Sequence, residues 1–300
     1  TDFYNKLKTI VSEENILLDE PMSKHTTFRI GGNADMFVSP EVADVSQIIA
    51  LAKEYEVPVT IIGNGSNLLV GDKGIRGLVL SFGKAAEYVK IEGSRITAGA
   101  GALLSKIAAE ALKNCLTGFE FAAGIPGTIG GALVMNAGAY GGEMKDVLVS
   151  AKVLTVDGAV IELLVEDLDL SYRHSCIPEK GYIVLEATIT LQNGEEDAIR
   201  EMMADFRNRR IDKQALEYPS AGSTFKRPEG YFAGKLIQDA DLRGYTVGGA
   251  QVSEKHCGFV VNKGGATAAD VCQLIMDVKE KVYEQFQVEM EPEVKMIGEF

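Results

Sequence analysis

The sequence predicts an α+β fold organised as two or three compact units. Three observations carry this. Three stretches repeat apolar residues at helical spacing, around 42–52, 102–115 and 267–286, and a fourth, 195–210, reads as a helix from its charge pattern. Two others, AKVLTVDGAVIEL and YIVLEATITLQ, alternate and read as strands, the first turning at Asp157-Gly158. The two kinds of segment do not alternate as a regular βαβ array would require.

Taken in order, the segment after Ser39-Pro40-Glu41 reads as a helix, with Ser39 as cap, Pro40 in the first turn, and Val42, Val45, Ile49 and Ala52 on one face. Pro58 to Ile62 then reads as a short buried strand running into GNGSNLLV. Short strands follow around Gly77–Ser81 and Arg95–Ala98. The helix over 102–115 turns Leu104, Ala108, Ala111 and Leu112 inward. Glu195 to Arg210 places its acids early and its arginines late, as the helix dipole favours. The polar, Pro-containing stretch after it is the best domain boundary. The last helix, from Thr267 to about Phe286, has a cap in Thr267 and a stripe of Val271, Leu274, Ile275, Val278 and Val282. VKMIG closes the reading as a strand.

The chain has 300 residues and a formal net charge of −13. So acidic a body repels nucleic acid and anionic membranes, and a polyanionic small ligand needs dedicated Arg, Lys or backbone N–H groups. Cys115, Cys176, Cys257 and Cys272 form no C-x-x-C pair, which fits reduced thiols in a cytoplasmic protein. No apolar run reaches bilayer length, and the opening residues carry acids without an apolar signal core. There is no Walker loop, no H-E-x-x-H and no Cys/His set with zinc spacing, so no metal is expected. His25, His174 and His256 are scattered.

Six segments carry chemistry. In GNGSNLLV, Gly63, Asn64, Gly65, Ser66 and Asn67 offer an anion-binding nest of backbone N–H groups. An ordinary turn between strands is the commoner meaning of so short a motif. GIPGTIGGALVMNAGAYGGE, Gly124 to Glu143, is rich in glycine yet largely apolar. A floppy linker would be polar, so this stretch reads as backbone wrapped around a flat or phosphorylated ligand. Arg29 in TTFRIGGNAD suits a phosphate or a surface carboxylate equally. Arg173 in SYRHS, read at a strand edge, offers a planar fork for a carboxylate, with a surface ion pair as the plainer alternative. YPSAGSTFKRP supplies the Ser223 hydroxyl beside Lys226 and Arg227, and is no G-x-S-x-G elbow. In EMEPEVKMIGEF, Glu289, Glu291 and Glu293 would share one face of a strand, although Pro292 interrupts it.

Together and in this order, with GKLIQDADLRG and GGAQVSEKHCGFVVNKGGAT, these segments resemble the UDP-N-acetylenolpyruvoylglucosamine reductase family over about Thr26 to Gly298. The resemblance implies a two-part FAD-binding domain of the vanillyl-alcohol-oxidase type over 1–82 and 83–205, then an α+β substrate-binding domain over 206–300. The lack of room between Ser171 and Glu195 for an extra loop points to the shorter, second type. The resemblance also implies bound FAD, NADPH as co-substrate, and UDP-N-acetylglucosamine enolpyruvate as the small-molecule substrate in peptidoglycan precursor synthesis. Nucleic-acid and membrane partners are not expected, and the oligomeric state stays open, a monomer fitting as well as any.

Residue by residue, the resemblance implies that Arg29, Gly63, Asn64, Gly65, Ser66, Asn67, Gly124, Ile125, Pro126, Gly127, Thr128, Gly130, Gly131, Asn136 and Ala137 hold FAD. Arg173, Ser223 and Glu293 match the catalytic trio. Lys226, Arg227 and Asn262 are candidates for the uridine diphosphate sugar. Two positions depart from the family pattern: Asp241, where glycine is usual, and Ile177, where an aromatic is expected.

Overall fold

The computed structural model describes residues 2–300. The chain divides into two compact units. The first runs up to Leu17 and takes in Met36–Asn64 and Gly77–Arg209. The second holds Leu18–Asp35, Gly65–Arg76 and Arg210–Phe300. Three of the five crossings fall inside the strands Ile16–Pro21, Asn33–Val38 and Ile75–Ser81.

The first unit carries helices α1 (Asp2–Leu7), α2 (Val45–Glu54), α3 (Leu104–Lys113), α4 (Ile129–Val134), α5 (Ile177–Lys180) and most of α6 (Glu196–Lys213). Its centre is a five-stranded antiparallel sheet, ordered Val160–Leu164, Leu148–Leu154, Ile183–Thr190, Arg95–Gly99, Val89–Glu92. Alternation fixes the register. Ala187 and Ile189 are buried with Leu104, Ile107 and Ala108 of α3 and Ile129 and Leu133 of α4. Thr188 points the other way and meets Thr97 across the strands, Oγ1 to Oγ1, at 3.2 Å. The expected turn forms: Gly158 has φ +84° and donates to Thr155 O at 3.0 Å. A second core gathers Phe3, Leu7, Val45, Ile48 and Leu51 against Leu78 and Leu80. There Val59–Ile62 pairs in parallel with 78–81.

Two local expectations differ from the structure, and one helix had none. Ser39 does not cap α2. The chain first makes a 3-10 turn at Val42–Asp44, and α2 starts at Val45 with Val45, Ile48, Leu51 and Ala52 buried. The strand before GNGSNLLV is buried only at Ile62. The helix α1 had no clear signal, because six residues give too few turns for a periodicity.

The second unit carries α7 (Ala233–Asp239) and α8 (Ala268–Phe286) with a four-stranded antiparallel sheet, ordered Ser220–Ser223, Phe259–Asn262, Ala250–Val252, Thr246–Val247. The stripe read on α8 is its buried face, as expected. Thr267 caps it in a reciprocal box with Asp270, and both Asp72 carboxylate oxygens accept from its first turn, from Ala268 N at 2.8 Å and Ala269 N at 3.0 Å. The stripe packs with Leu236, Ile237, Val252, Val260, Phe28 and Leu69. α7 escaped the sequence reading because Gly234 sits in its first turn. Leu68–Val70 pairs in parallel with Lys295–Ile297, so VKMIG does form a strand. Among the described residues no helix is long and apolar enough to cross a membrane.

Candidate active site

Each unit brings a glycine-rich turn together with one part of the expected trio. In the first unit, Val59–Ile62 delivers Gly63 and Asn64 to the Gly124–Ala137 segment. Asn64 Nδ2 donates to Pro126 O at 2.8 Å, and a Cβ on Gly63 would stand 2.6 Å from Thr128 Oγ1. The same segment is pinned from behind. Leu104 N donates to Gly127 O at 2.9 Å, Ile129 N to Ala102 O at 2.9 Å, and Gly130 N to Ala100 O at 3.0 Å. A Cβ on Gly130 would come to 3.0 Å of Ala100. Thr128 then caps α4, its Oγ1 accepting from Gly131 N at 3.2 Å.

The front of this turn is open. Gly131 is exposed, and a Cβ there would meet nothing closer than Thr128 Oγ1 at 3.4 Å. A backbone packed tightly on one side and bare on the other suits close approach of a phosphate or a ring. The residues present therefore fit the pyrophosphate and ring system of a dinucleotide such as FAD.

After α4 the chain turns left-handed at Asn136, φ +47°, and makes a two-residue hairpin. Gly138–Ala139 pairs with Gly142–Glu143, and Tyr140 and Gly141 at the tip both have positive φ, +53° and +83°. The tip is stapled to α6: the Tyr140 and Phe206 rings stack at 4.5 Å and 5°.

Arg173 stands beside this hairpin. SYRHS is a tight turn rather than a strand edge. Ser171 and His174 exchange backbone bonds of 3.1 Å each way, and Arg173 has φ +50°. The Arg173 guanidinium donates to Gly138 O at 3.2 Å and lies 5.0 Å over the Tyr172 ring. Asn136, fully buried, donates to Ser171 O at 2.9 Å while its Oδ1 accepts from Lys145 N at 2.9 Å. Both ends of that amide bond protein, which ties the chain after α4 to the SYRHS turn and to Lys145. Ile177, the departure noted above, is buried in the first core at the start of α5.

In the second unit, Ser223 ends its strand after a bulge at Ala221–Gly222, where Gly222 takes φ +70°. The next residues run antiparallel to the chain's last acidic segment. Glu293 N donates to Thr224 O at 2.8 Å, Lys226 N donates to Glu291 O at 2.8 Å, and Phe225 faces Pro292 between them. Pro292, lacking an N–H, sits between the two donors, so it costs the pairing no hydrogen bond. Ser223 and Glu293 thus lie on adjacent extended segments, the hydroxyl exposed and the carboxyl half-buried. Glu289, Glu291 and Glu293 do not form the regular strand face that alternation implied, since only this one bridge forms.

Gly65, Ser66 and Asn67 join the same neighbourhood: Asn67 Nδ2 donates to Glu293 O at 3.1 Å. Gly65 is required by backbone, with φ +64° and a would-be Cβ 2.0 Å from His25 O. The turn carrying Arg29 is tied alongside. Thr27 N donates to Gly65 O at 3.1 Å and Thr27 Oγ1 to Ser220 O at 2.7 Å. Arg29 itself is exposed, φ +55°, between the buried Phe28 and Ile30.

Of the sugar-nucleotide candidates, Lys226 Nζ holds Glu291 at 2.8 Å, and Arg227 lies 4.0 Å over the Phe232 ring with Nε 3.3 Å from Tyr231 O. Asn262 is different. Buried to 7%, it donates to Phe28 O at 3.1 Å and accepts from Gly264 N at 3.0 Å and Ala266 N at 3.1 Å. Its amide organises the loop and the Arg29 turn. Sequence reasoning missed Thr224 and Thr27. Both sit inside the quoted motifs, where their backbone and hydroxyl bonds leave no compositional mark.

Two family models match the chain: an FAD binding domain over residues 34–164 and the UDP-N-acetylenolpyruvoylglucosamine reductase C-terminal domain over residues 214–297. The UDP-N-acetylenolpyruvoylglucosamine reductase of Agathobacter rectalis is 61% identical over 297 residues, covering 95% of each chain. That of Clostridium botulinum strain Okra is 54% identical over 299 residues, covering 99% of this chain and 97% of the other. Among solved structures, the Thermus caldophilus UDP-N-acetylenolpyruvylglucosamine reductase superposes with a TM-score of 0.80 at 34% identity, covering 94% of this chain and 97% of that one. An alkyldihydroxyacetonephosphate synthase, at 18% identity and a TM-score of 0.50, covers 64% of this chain and 40% of its own, and shares the fold alone. The expected fold, an FAD-binding domain of the vanillyl-alcohol-oxidase type followed by a substrate-binding domain, is borne out. With identity this high over nearly the full length, the chain belongs to the UDP-N-acetylenolpyruvoylglucosamine reductase family.

Proposed function

We propose that Arg173, Ser223 and Glu293 carry the chemistry of the family's reaction in this protein. As a member of that family it is an FAD-dependent oxidoreductase, reducing UDP-N-acetylglucosamine enolpyruvate to UDP-N-acetylmuramate with NADPH as reductant, in peptidoglycan precursor synthesis. The observation that supports the residue assignment best is the pairing of 224–226 with 291–293, which sets Ser223 and Glu293 on neighbouring segments tied to Asn67.

Bound FAD would supply the redox chemistry, taking reducing equivalents from NADPH and passing them to the enolpyruvyl group. We assign its pyrophosphate and ring to the backbone of Gly63–Asn67, Gly124–Gly131 and Ala137, with Arg29 at the entry of the same domain. The protein's own groups then manage charge and protons. The Arg173 guanidinium holds the substrate carboxylate as negative charge spreads into it. The Ser223 hydroxyl delivers the proton that C2 of the enolpyruvyl group gains, because an enolate is basic enough to take it. Glu293, in its protonated form, is our candidate for a proton donor to the substrate. Lys226 and Arg227 are our candidates for the diphosphate, a dianion that a body of net charge −13 must meet with dedicated cations.

The division at about 82 and 205 is our reading of the domains, and the gap between the two family models, 164 to 214, supports the second boundary. We place the reaction in the cytoplasm. Four cysteines without a disulfide among the described residues support this.

The test is anaerobic. The flavoprotein is reduced with NADPH and the visible band followed after adding UDP-N-acetylglucosamine enolpyruvate. Prompt return of the oxidised band with UDP-N-acetylmuramate formed supports the reading. A band that returns only on admitting air makes the protein an oxidase on the same fold and removes the trio's roles.

A further inference from the structure

We infer that Asn136 is a positioning residue for Arg173, holding the turn that aims the guanidinium rather than contacting the cofactor. The inference rests on the catalytic reading of Arg173 given above. Asn136 is the one polar side chain that joins three segments at this point. It follows α4, its Nδ2 bonds Ser171 O at 2.9 Å, and its Oδ1 bonds Lys145 N at 2.9 Å. It does so at 0% exposure and in a left-handed backbone that asparagine tolerates better than most residues.

The geometry makes the coupling direct. Arg173 is fixed by its own turn, closed by the reciprocal Ser171–His174 bonds, and by the carbonyl of Gly138 on the hairpin. Asn136 lies two residues before Gly138 and grips the first residue of the turn. It therefore sets the distance between the guanidinium and the acceptor that orients it. The Ser175 hydroxyl, which donates to Val134 O at 2.6 Å, clamps the far side of the turn to the same end of α4. Without the amide donor, Ser171 O keeps only the His174 N bond within its own turn, and the tie from that turn to the end of α4 through Asn136 is lost.

The variant Asn136→Asp keeps the size, the left-handed backbone and the acceptor for Lys145 N, and when ionised it replaces the donor with a charged oxygen. As a carboxylic acid it can donate again, so the defect should fade in acid. The holoenzyme is assayed in its two half-reactions at pH 8 and pH 6, beside Arg173→Lys. We expect flavin content and the rate of reduction by NADPH within about threefold of wild type. Reoxidation by the enolpyruvyl substrate should be about a hundredfold slower at pH 8, the cost of a misplaced group, and partly restored at pH 6. Binding of UDP-N-acetylmuramate by calorimetry should weaken in parallel at pH 8, since the same carboxylate is held. Should Asn136→Asp fail to accumulate folded, Asn136→Gly, which suits the backbone and removes both bonds, is read by the same ratio of half-reactions. Substrate-driven reoxidation within threefold of wild type at both pH values, with Arg173→Lys impaired, overturns the positioning role. If Arg173→Lys itself leaves that half-reaction intact, the catalytic reading of Arg173 is what fails.

Discussion

The side-chain amide of Asn67 donates to the backbone carbonyl of Glu293 at 3.1 Å, and the Asn67 carbonyl accepts from Lys295 N at 2.9 Å. One asparagine thus fixes the glycine turn and the acidic segment to each other. Asn67→Ala should lower the unfolding free energy of the apoprotein by about 1 kcal/mol, the net worth of such a bond. It should also slow substrate-driven flavin reoxidation more than reduction by NADPH. Denaturant titration checks the first, and an unchanged midpoint would show the bond to be idle.

Ser223→Ala should leave flavin reduction by NADPH nearly intact and slow the second half-reaction about a hundredfold to ten-thousandfold, the usual loss for a positioned acid. Stopped-flow absorbance separates the two steps. Equal slowing of both would make Ser223 structural.

Gly65→Ala meets two obstacles at once, a left-handed backbone and the His25 carbonyl 2.0 Å from the new Cβ. It should destabilise the apoprotein by more than about 1 kcal/mol and weaken FAD binding measured by fluorescence titration. Gly141→Ala is the control: it is also left-handed, but nothing lies within 4 Å of its Cβ position. A Gly65→Ala protein no less stable than Gly141→Ala would refute the steric argument.

Asp241 takes φ +60°, the conformation for which the family's usual glycine is suited. The departure seen in the sequence therefore changes the side chain and keeps a left-handed turn. Asp241→Gly should be neutral to within about half a kcal/mol, and Asp241→Val should cost about 1–2 kcal/mol. Thermal unfolding orders the three, and a valine variant as stable as wild type would contradict the left-handed assignment.

His256 is a pH-sensitive support of the second unit. Its Nδ1 accepts from Gly258 N at 3.0 Å, and its ring lies 5.0 Å from Phe259. Burial, and then the Arg243 charge, push its pKa below the ordinary imidazole value. The folded state therefore prefers the neutral ring, and the unfolded chain takes up the proton first as pH falls. Its contribution is complete above about pH 6.5, the unfolded value, and is lost as pH drops from there toward the folded value. Denaturation of wild type and His256→Gln at pH 7.5 and pH 5.5 tests this. The wild type should lose more stability over that interval, and parallel losses would remove His256 from the account.

The long amphipathic helices were legible because their burial repeats over several turns. Val271, Leu274, Ile275, Val278 and Val282 announce α8 whatever surrounds it. The hairpin turn at Gly158 was legible because a two-residue signal determines it. The glycine segments were legible as ligand turns through composition. Their exact engagement was not, since the near-contact of Gly63 with Thr128 depends on a fold that brings residues 63 and 128 together. The backbone bonds of Asn136 and Asn262 were not legible, because an asparagine that bonds backbone and one that bonds a ligand look alike in a sequence. Ser39 was misread because a 3-10 turn intervened where a helix start was expected.

The parallel pairing of Leu68–Val70 with Lys295–Ile297 has a consequence for biosynthesis. Asn67 and its partner Glu293 are 226 positions apart. At about 5–20 residues per second, a ribosome emits the first of these segments roughly 10–45 s before the second. For most of that interval the segments 18–35 and 65–76 have no second unit to join, because its sheet and α8 are still unmade. Loop closure over so long a chain is slow. The second unit is therefore completed last and from both ends of the sequence, and the three-residue length of its waiting strand limits what else that strand can pair with.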